Sequence, residues 1–179
     1  NVDENGKNKI VIYEGANSGV RDEEIDFLKD RIKGEDLLLM QGEIPFETIV
    51  NAVKIAKKAQ AKIIFDPAPA KLEFKNLFPY LTYITPNEVE IQMLTPDISE
   101  LDDKIDFLIN SGVYGVIVKL GEKGIVYKDR DGRYFKLDAY KVNAVDTTAA
   151  GDIFNGAFAL SLSKNFDLKY SLKFSQAAS

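Results

Sequence analysis

The sequence predicts an α/β fold, a mostly parallel sheet held between helix layers, and two observations carry that reading. Short apolar runs of strand length alternate with stretches of helical period along most of the chain. Such alternation calls for crossover connections between parallel strands. The motifs rich in Gly, Pro, Asn and Asp fall just after the apolar runs, at the carboxyl ends of the predicted strands, where open α/β sheets bind ligands.

Taken in order, Ile10-Val11-Ile12-Tyr13 is strand-like and follows an Asn5-Gly6 turn signal. Ile25, Leu28 and Ile32 lie on one face of a helix. Leu37–Met40 is a short apolar strand. Phe46, Ile49, Val50, Val53 and Ala56 mark an amphipathic helix, with Pro45 placed for its first turn, where a missing N–H is tolerated. Lys62–Phe65 is a strand ending in the stiff loop Asp66-Pro67-Ala68-Pro69-Ala70, read as a pocket wall without chemistry of its own. Tyr83-Ile84 runs into Thr85-Pro86-Asn87. Leu101, Ile105, Leu108 and Ile109 mark another helix, and Val116–Leu120 a buried strand. Gly124–Tyr127 and Arg133–Leu137 form a hairpin around Asp131-Gly132. A helix is expected from Ala149 to about Ser163, and Leu172–Ser179 keeps a helical pattern without a cap.

At 179 residues the chain is sized for one domain with a substantial core. It has no Cys and no His, which excludes disulfides, thiolate catalysis and imidazole acid–base chemistry. Proton transfer is then left to carboxylates. A formal net charge of −5 argues against nucleic-acid binding. No run of 18 apolar residues and no signal peptide occurs, so no membrane span is expected and the cytoplasm is the default.

The most informative stretch is Val145-Asp146-Thr147-Thr148-Ala149-Ala150-Gly151-Asp152-Ile153-Phe154-Asn155-Gly156-Ala157-Phe158. Small residues ahead of an apolar helix leave backbone N–H groups open to a ligand, and the helix start adds orphan donors and partial positive charge. The amides of Ala149, Ala150 and Gly151 would form an anion hole with Asp152 inside it. A carboxylate there is suited to take a proton from an alcohol as a phosphoryl group arrives. The competing reading is an ordinary capped helix. Walker A and Rossmann glycine patterns are both absent, so nucleotide would be handled by this string instead.

Three further motifs sit on the same edge. Asn87 and Glu90 share a face of a helical turn and suit a phosphate oxygen and a hydrated Mg²⁺; they equally suit a capping box. Lys119-Leu120-Gly121-Glu122-Lys123-Gly124 lets backbone approach a nucleotide, or is a plain glycine turn. Glu43, just past the first strand, can accept sugar hydroxyl hydrogen bonds or stand as a solvated loop acid.

Together with Gly15-Ala16-Asn17, Leu39-Met40-Gln41, Asp66–Ala70 and Thr85-Pro86-Asn87-Glu88, the Asp146–Ala157 string resembles the ribokinase-like carbohydrate kinases over nearly the whole chain. The resemblance implies a three-layer α/β/α domain with a lid of β-strands, of which residues 1–13 would be the last strands. It implies an ATP-dependent sugar kinase using Mg²⁺ and K⁺, most simply on ribose, with kinases of fructose, a ketodeoxy sugar acid or a nucleoside as alternatives. A non-catalytic nucleotide- or sugar-sensing module is the rival outside enzymes. By the same resemblance Asp152 is the catalytic base and also meets the sugar. Asn87 and the Lys119–Gly124 loop contact ATP, and Glu90 helps place Mg²⁺ through water. Asp146 and the Thr148 carbonyl bind the monovalent cation, Glu43 contacts the sugar, and Gln176 falls near a nucleotide-site position. The family's di-glycine sugar-binding segment and its C-terminal end have no match here, so the 179 residues are expected to be a partial domain, inactive alone and part of a homodimer at full length.

Overall fold

The structure is a computed structural model that describes residue 13, residues 15–142 and residues 147–179. Among the described residues six strands form one sheet in chain order: β1 (Leu37–Gln41), β2 (Lys62–Asp66), β3 (Tyr83–Ile84), β4 (Gly115–Lys119), β5 (Ile125–Asp129) and β6 (Tyr134–Leu137). β1 to β4 pair in parallel, and β4–β5 and β5–β6 are antiparallel. Connection length explains the switch. A tight turn can only reverse the chain, whereas the first three connections are long enough for crossovers.

The helices are α1 (Asp22–Ile25), α2 (Leu28–Arg31), α3 (Phe46–Lys58), α4 (Glu88–Leu94), α5 (Leu101–Asn110), α6 (Ala150–Ser163) and α7 (Leu168–Ala178). The 3-10 segments Gly15–Gly19, Leu72–Tyr80 and Gly121–Lys123 join them among the described residues. The single helix expected through Ile25, Leu28 and Ile32 is instead the pair α1 and α2. Around Asp26 and Phe27 the backbone tightens to three-residue bonding, Lys29 N–H to Asp26 O at 3.0 Å and Asp30 N–H to Phe27 O at 3.3 Å. Ile25 is buried there while Leu28 and Ile32 are half-buried, too little packing to propagate a regular helix.

Parallel strands laid down in order, with crossovers of one hand, send their connections to one face of the sheet. That face packs Ile63, Phe65, Ile84, Val116 and Val118 against Ile49 and Val53 of α3, Phe74 and Phe78, Ile91 of α4 and Ile105 and Leu108 of α5. The opposite residues of the same strands, Ile64, Tyr83, Ile117, Ile125 and Tyr127, meet Phe154, Phe158 and Leu162 of α6 and Leu172 of α7. The result is the expected three-layer α/β/α arrangement, with side chains alternating between two cores. The lid expected at residues 1–13 lies outside the described residues apart from Tyr13.

At the end of the sheet away from the predicted motifs, the buried Asp129 carboxylate holds the β5–β6 hairpin together. It accepts hydrogen bonds from the Tyr127 hydroxyl (2.6 Å), the Asp131 and Arg133 N–H groups (3.1 and 2.9 Å) and Arg133 Nε (2.6 Å). Burial, and then this bond to Asp129, push the Tyr127 hydroxyl pKa well up. Asp129→Ala would leave that hydroxyl and two turn amides without their acceptor. A loss of roughly 3 kcal/mol is expected, read from the denaturant midpoint of the purified chain.

Candidate active site

Asp152 stands in the first turn of α6. Ala149 takes the left-handed conformation (φ 63°), which turns the chain abruptly into the helix. The Ala150 N–H reaches back to Thr147 O at 3.3 Å, and regular bonding starts with Ile153 N–H to Ala149 O at 2.9 Å. The Gly151 and Asp152 N–H groups thus belong to the turn that has no intrahelical acceptors. Of the amides expected to form an anion hole, Gly151's is in this turn, while the Ala150 N–H is turned to Thr147 O. The Asp152 side chain is exposed and accepts a 2.5 Å hydrogen bond from Gln41 Nε2 at the end of β1. Leu39, Met40, Gln41, Asp152 and Asn155 line a cleft of about 230 Å³ there.

Beneath the cleft lies a buried polar cluster. Asp66, at the end of β2 and 2% exposed, accepts from Lys119 Nζ at 3.2 and 3.1 Å and from Asn155 Nδ2 at 2.5 Å. Burial holds the Asp66 carboxyl pKa above the ordinary carboxylate range. Lys119 and the Asn155 amide oppose that shift, and the nearby Asp152 charge adds to it. Asn155 is itself 3% exposed, and its Oδ1 has no hydrogen-bond partner. A Cβ added to Gly151 would come within 3.4 Å of Lys119 Nζ, which places that ammonium against the first turn of α6.

Asn87 and Glu90 form a capping box, as the structural alternative had it. Asn87 Oδ1 accepts from Glu90 N–H at 2.8 Å, and Glu90 Oε2 from Asn87 N–H at 2.7 Å. That leaves the Asn87 amide nitrogen and the second Glu90 oxygen for a ligand. Burial chiefly, and the Asp66 charge after it, hold the Glu90 carboxyl pKa above its usual value, against the Asn87 N–H and Lys119.

Residues Lys119–Gly124 make a ledge beside Asn87. Lys119 N–H bonds Pro86 O at 2.8 Å, and Asn87 pairs with Lys119 in a single parallel bridge. β4 ends at Lys119, one residue earlier than expected, because Leu120 turns into the core and its N–H bonds Gly124 O at 2.8 Å. Lys123 pairs with Glu88 at 3.2 Å, both exposed, and Gly121 faces open space. Gln176 of α7 donates to Asp138 O at 3.4 Å, on the stretch that packs against Gly124, so it borders the same ledge.

Glu43 is exposed just beyond Gln41 and accepts from Asn17 Nδ2 at 3.4 Å, which ties the Gly15–Gly19 segment to the end of β1. Asp146 lies outside the described residues, while Thr148 is exposed in the turn before α6. A larger hollow of about 690 Å³, lined by residues such as Ser18, Arg21, Phe46 and Glu73, includes none of the predicted residues.

The sequence reading missed Gln41, Asp66 and Asn155 as polar partners in the site. A signal existed for Asn155, which stands one helical turn from Asp152 and therefore on its face. For Asp66 the signal was a carboxylate closing an apolar strand at its ligand-binding end.

Residues 1–179 match the family model described as pfkB family carbohydrate kinase. The chain is 38% identical over 185 residues to the ribokinase of Schizosaccharomyces pombe, covering 99% of this chain and 58% of that protein. Among solved structures, Thermotoga maritima ribokinase superposes with a TM-score of 0.88 at 41% identity, covering 99% of this chain and 59% of that one. Arabidopsis thaliana ribokinase complexed with ribose and ATP gives a TM-score of 0.82 at 27% identity, again over 99% of this chain and 59% of that one. The chain thus spans less than two thirds of the length of each of these relatives. With its fold and its motifs matched end to end, the chain belongs to the pfkB family of carbohydrate kinases.

Proposed function

We propose that this chain carries the nucleotide-binding and phosphoryl-transfer part of an ATP-dependent sugar kinase whose substrate is D-ribose. The observation that carries it is the Asp152 carboxylate at the amide-lined first turn of α6. A proton acceptor and an anion hole stand side by side there, the pair a transfer from ATP to a primary hydroxyl requires. Asp152 takes the hydroxyl proton, and the amides of Ala149, Ala150 and Gly151 hold the arriving phosphoryl charge. Asn87, the Lys119–Gly124 ledge and Gln176 flank the adenine nucleotide, and Glu43 bonds the sugar beside Gln41. Ribose, rather than fructose, a sugar acid or a nucleoside, is favoured by the ribokinases among the relatives.

The donor set suits Mg²⁺. Glu90 keeps one hard oxygen outside its capping bond, on a carboxyl whose pKa burial chiefly raises. Among the described residues no cluster of three or more potential metal ligands occurs, so phosphate oxygens and water would complete the shell. Mg²⁺ bound there would neutralise the polyphosphate. Asp146 and the Thr148 carbonyl are proposed to hold K⁺. Among the described residues no helix is long and apolar enough to cross a membrane. A homodimeric cytoplasmic enzyme at full length, with residues 1–13 in its lid, completes the proposal.

Turnover of a sugar panel by the full-length protein tests the reading. Ribose should be phosphorylated at least tenfold faster than fructose or a nucleoside. MgATP binding without turnover of any sugar would instead indicate a sensing module. Rates should also rise with K⁺ over a large organic cation, and Asp146→Ala should remove most of that stimulation. Equal rates in both salts would remove the K⁺ site.

A further inference from the structure

We infer that Lys119 is the cation that meets the transferring phosphoryl group, and that Asp66 with Asn155 is the cradle that holds its ammonium at the start of α6. This goes beyond the backbone ledge of Lys119–Gly124 and rests on the kinase reading proposed above.

Three observations converge on Lys119. Its Nζ lies against Gly151, where a Cβ would come within 3.4 Å, so an anion seated on the first-turn amides of α6 meets this ammonium at once. Both Asp66 oxygens receive it, at 3.2 and 3.1 Å, and its side chain is only 15% exposed. Asn155 Nδ2 braces the same carboxylate at 2.5 Å, its Oδ1 is buried without a partner, and the residue borders the cleft. An orphan acceptor in that position marks a cleft shaped for a ligand that brings a donor, such as a hydroxyl. The residue is a surprising one to bury. β4 is otherwise an apolar strand, and a lysine ending it gains nothing from packing that a leucine would not supply.

The charges give the cradle its purpose. Asp66, Glu90 and Asp152 are three carboxylates around the place where a polyphosphate would bind, and each repels it. A fixed ammonium beside the amides offsets that repulsion where charge grows during transfer. In the step, the bond from the γ-phosphorus to the β–γ bridging oxygen breaks and a bond to the sugar oxygen forms. The hydroxyl proton passes to Asp152 and ADP leaves. Lys119 keeps all its protons and supplies position and charge. Asp66 acts through Lys119 and is a positioning residue.

The test is steady-state kinetics of the full-length protein with MgATP and ribose, paired with MgATP calorimetry and melting curves. Lys119→Met should lower kcat at least a hundredfold with the ribose KM within threefold, and Lys119→Arg should recover at least a tenth of the wild-type kcat. Asp66→Asn should lower kcat at least tenfold and leave MgATP binding unchanged or tighter, because the competing carboxylate is gone. The double variant Lys119→Met/Asp66→Asn removes both buried charges together and protects the fold from an unpaired one. It should stay as inactive as Lys119→Met. Recovery of kcat in the double variant would show a structural ion pair and overturn the inference, as would a Lys119→Met kcat within threefold of wild type. If Asp152→Asn is also fully active, the kinase reading itself has failed; if Asp152→Asn is inactive while Lys119→Met turns over normally, only the role of Lys119 falls.

Discussion

Asp152→Asn in the full-length protein is expected to lower kcat by roughly 10²–10⁴, the usual contribution of a positioned general base. The substitution is nearly isosteric, and Gln41 Nε2 keeps an oxygen acceptor at the same place. The amides at the start of α6 are backbone groups and do not change. Binding of MgATP should therefore stay within about threefold, since loss of an interaction made only in the transition state lowers kcat without weakening the ground state. Rapid-quench measurement of a single turnover, beside calorimetry with the nucleotide, separates the two. A single-turnover rate within threefold of wild type would remove Asp152 from the chemistry.

Gly124→Ala carries the second large expectation, and it falls on the fold and the nucleotide ledge together. Gly124 has φ 90°, a region that side chains rarely adopt. An added Cβ would lie 2.0 Å from Leu137 O and 2.7 Å from Ala139 N, both backbone atoms that no rotamer change can move. Backbone strain of about 1–3 kcal/mol adds to the displacement of β6 from β5, so a loss on the order of 4 kcal/mol is expected. The Gly124 carbonyl that anchors Leu120 shifts as well, and MgATP affinity should fall at least tenfold. Gly121→Ala is the control. Its φ of 57° is strained but its Cβ would meet nothing within 4 Å, so about 1 kcal/mol is expected. Melting curves of the two variants decide it; equal stability would mean the contact with β6 does not constrain the turn.

Much of the layer order could be read from residues. Ile49, Val53 and Ala56 repeat at helical spacing, and all three are fully buried in the helix that covers β2. Lys62–Phe65, Tyr83-Ile84 and the Asp131-Gly132 hairpin appear where short apolar runs and turn residues put them. These features depend on neighbours a few residues apart, and local pattern records such neighbours directly. The division into α1 and α2 was not legible, because three apolar positions fit one helical face whether or not a core waits beneath them. The Leu72–Tyr80 3-10 segment, with Pro79 inside it, likewise follows no helical period.

The candidate site divides along the same line. Composition and spacing alone show carboxylates without imidazole or thiol, a small-residue approach to a helix, and an amide and an acid spaced as a capping box, which Asn87 and Glu90 form. What stands beside Asp152 depends on how distant segments fold together. Gln41 is 111 positions away in the chain, Asp66 is 89 from Asn155 and 53 from Lys119, and no local pattern links them. They meet because parallel strands end on one edge of the sheet, and α6, packed on the opposite face from α3, brings its first turn to that edge. Burial at that junction turns Asp66 from a loop acid into the carboxylate that pairs with Lys119, since a charge taken out of water must find a partner.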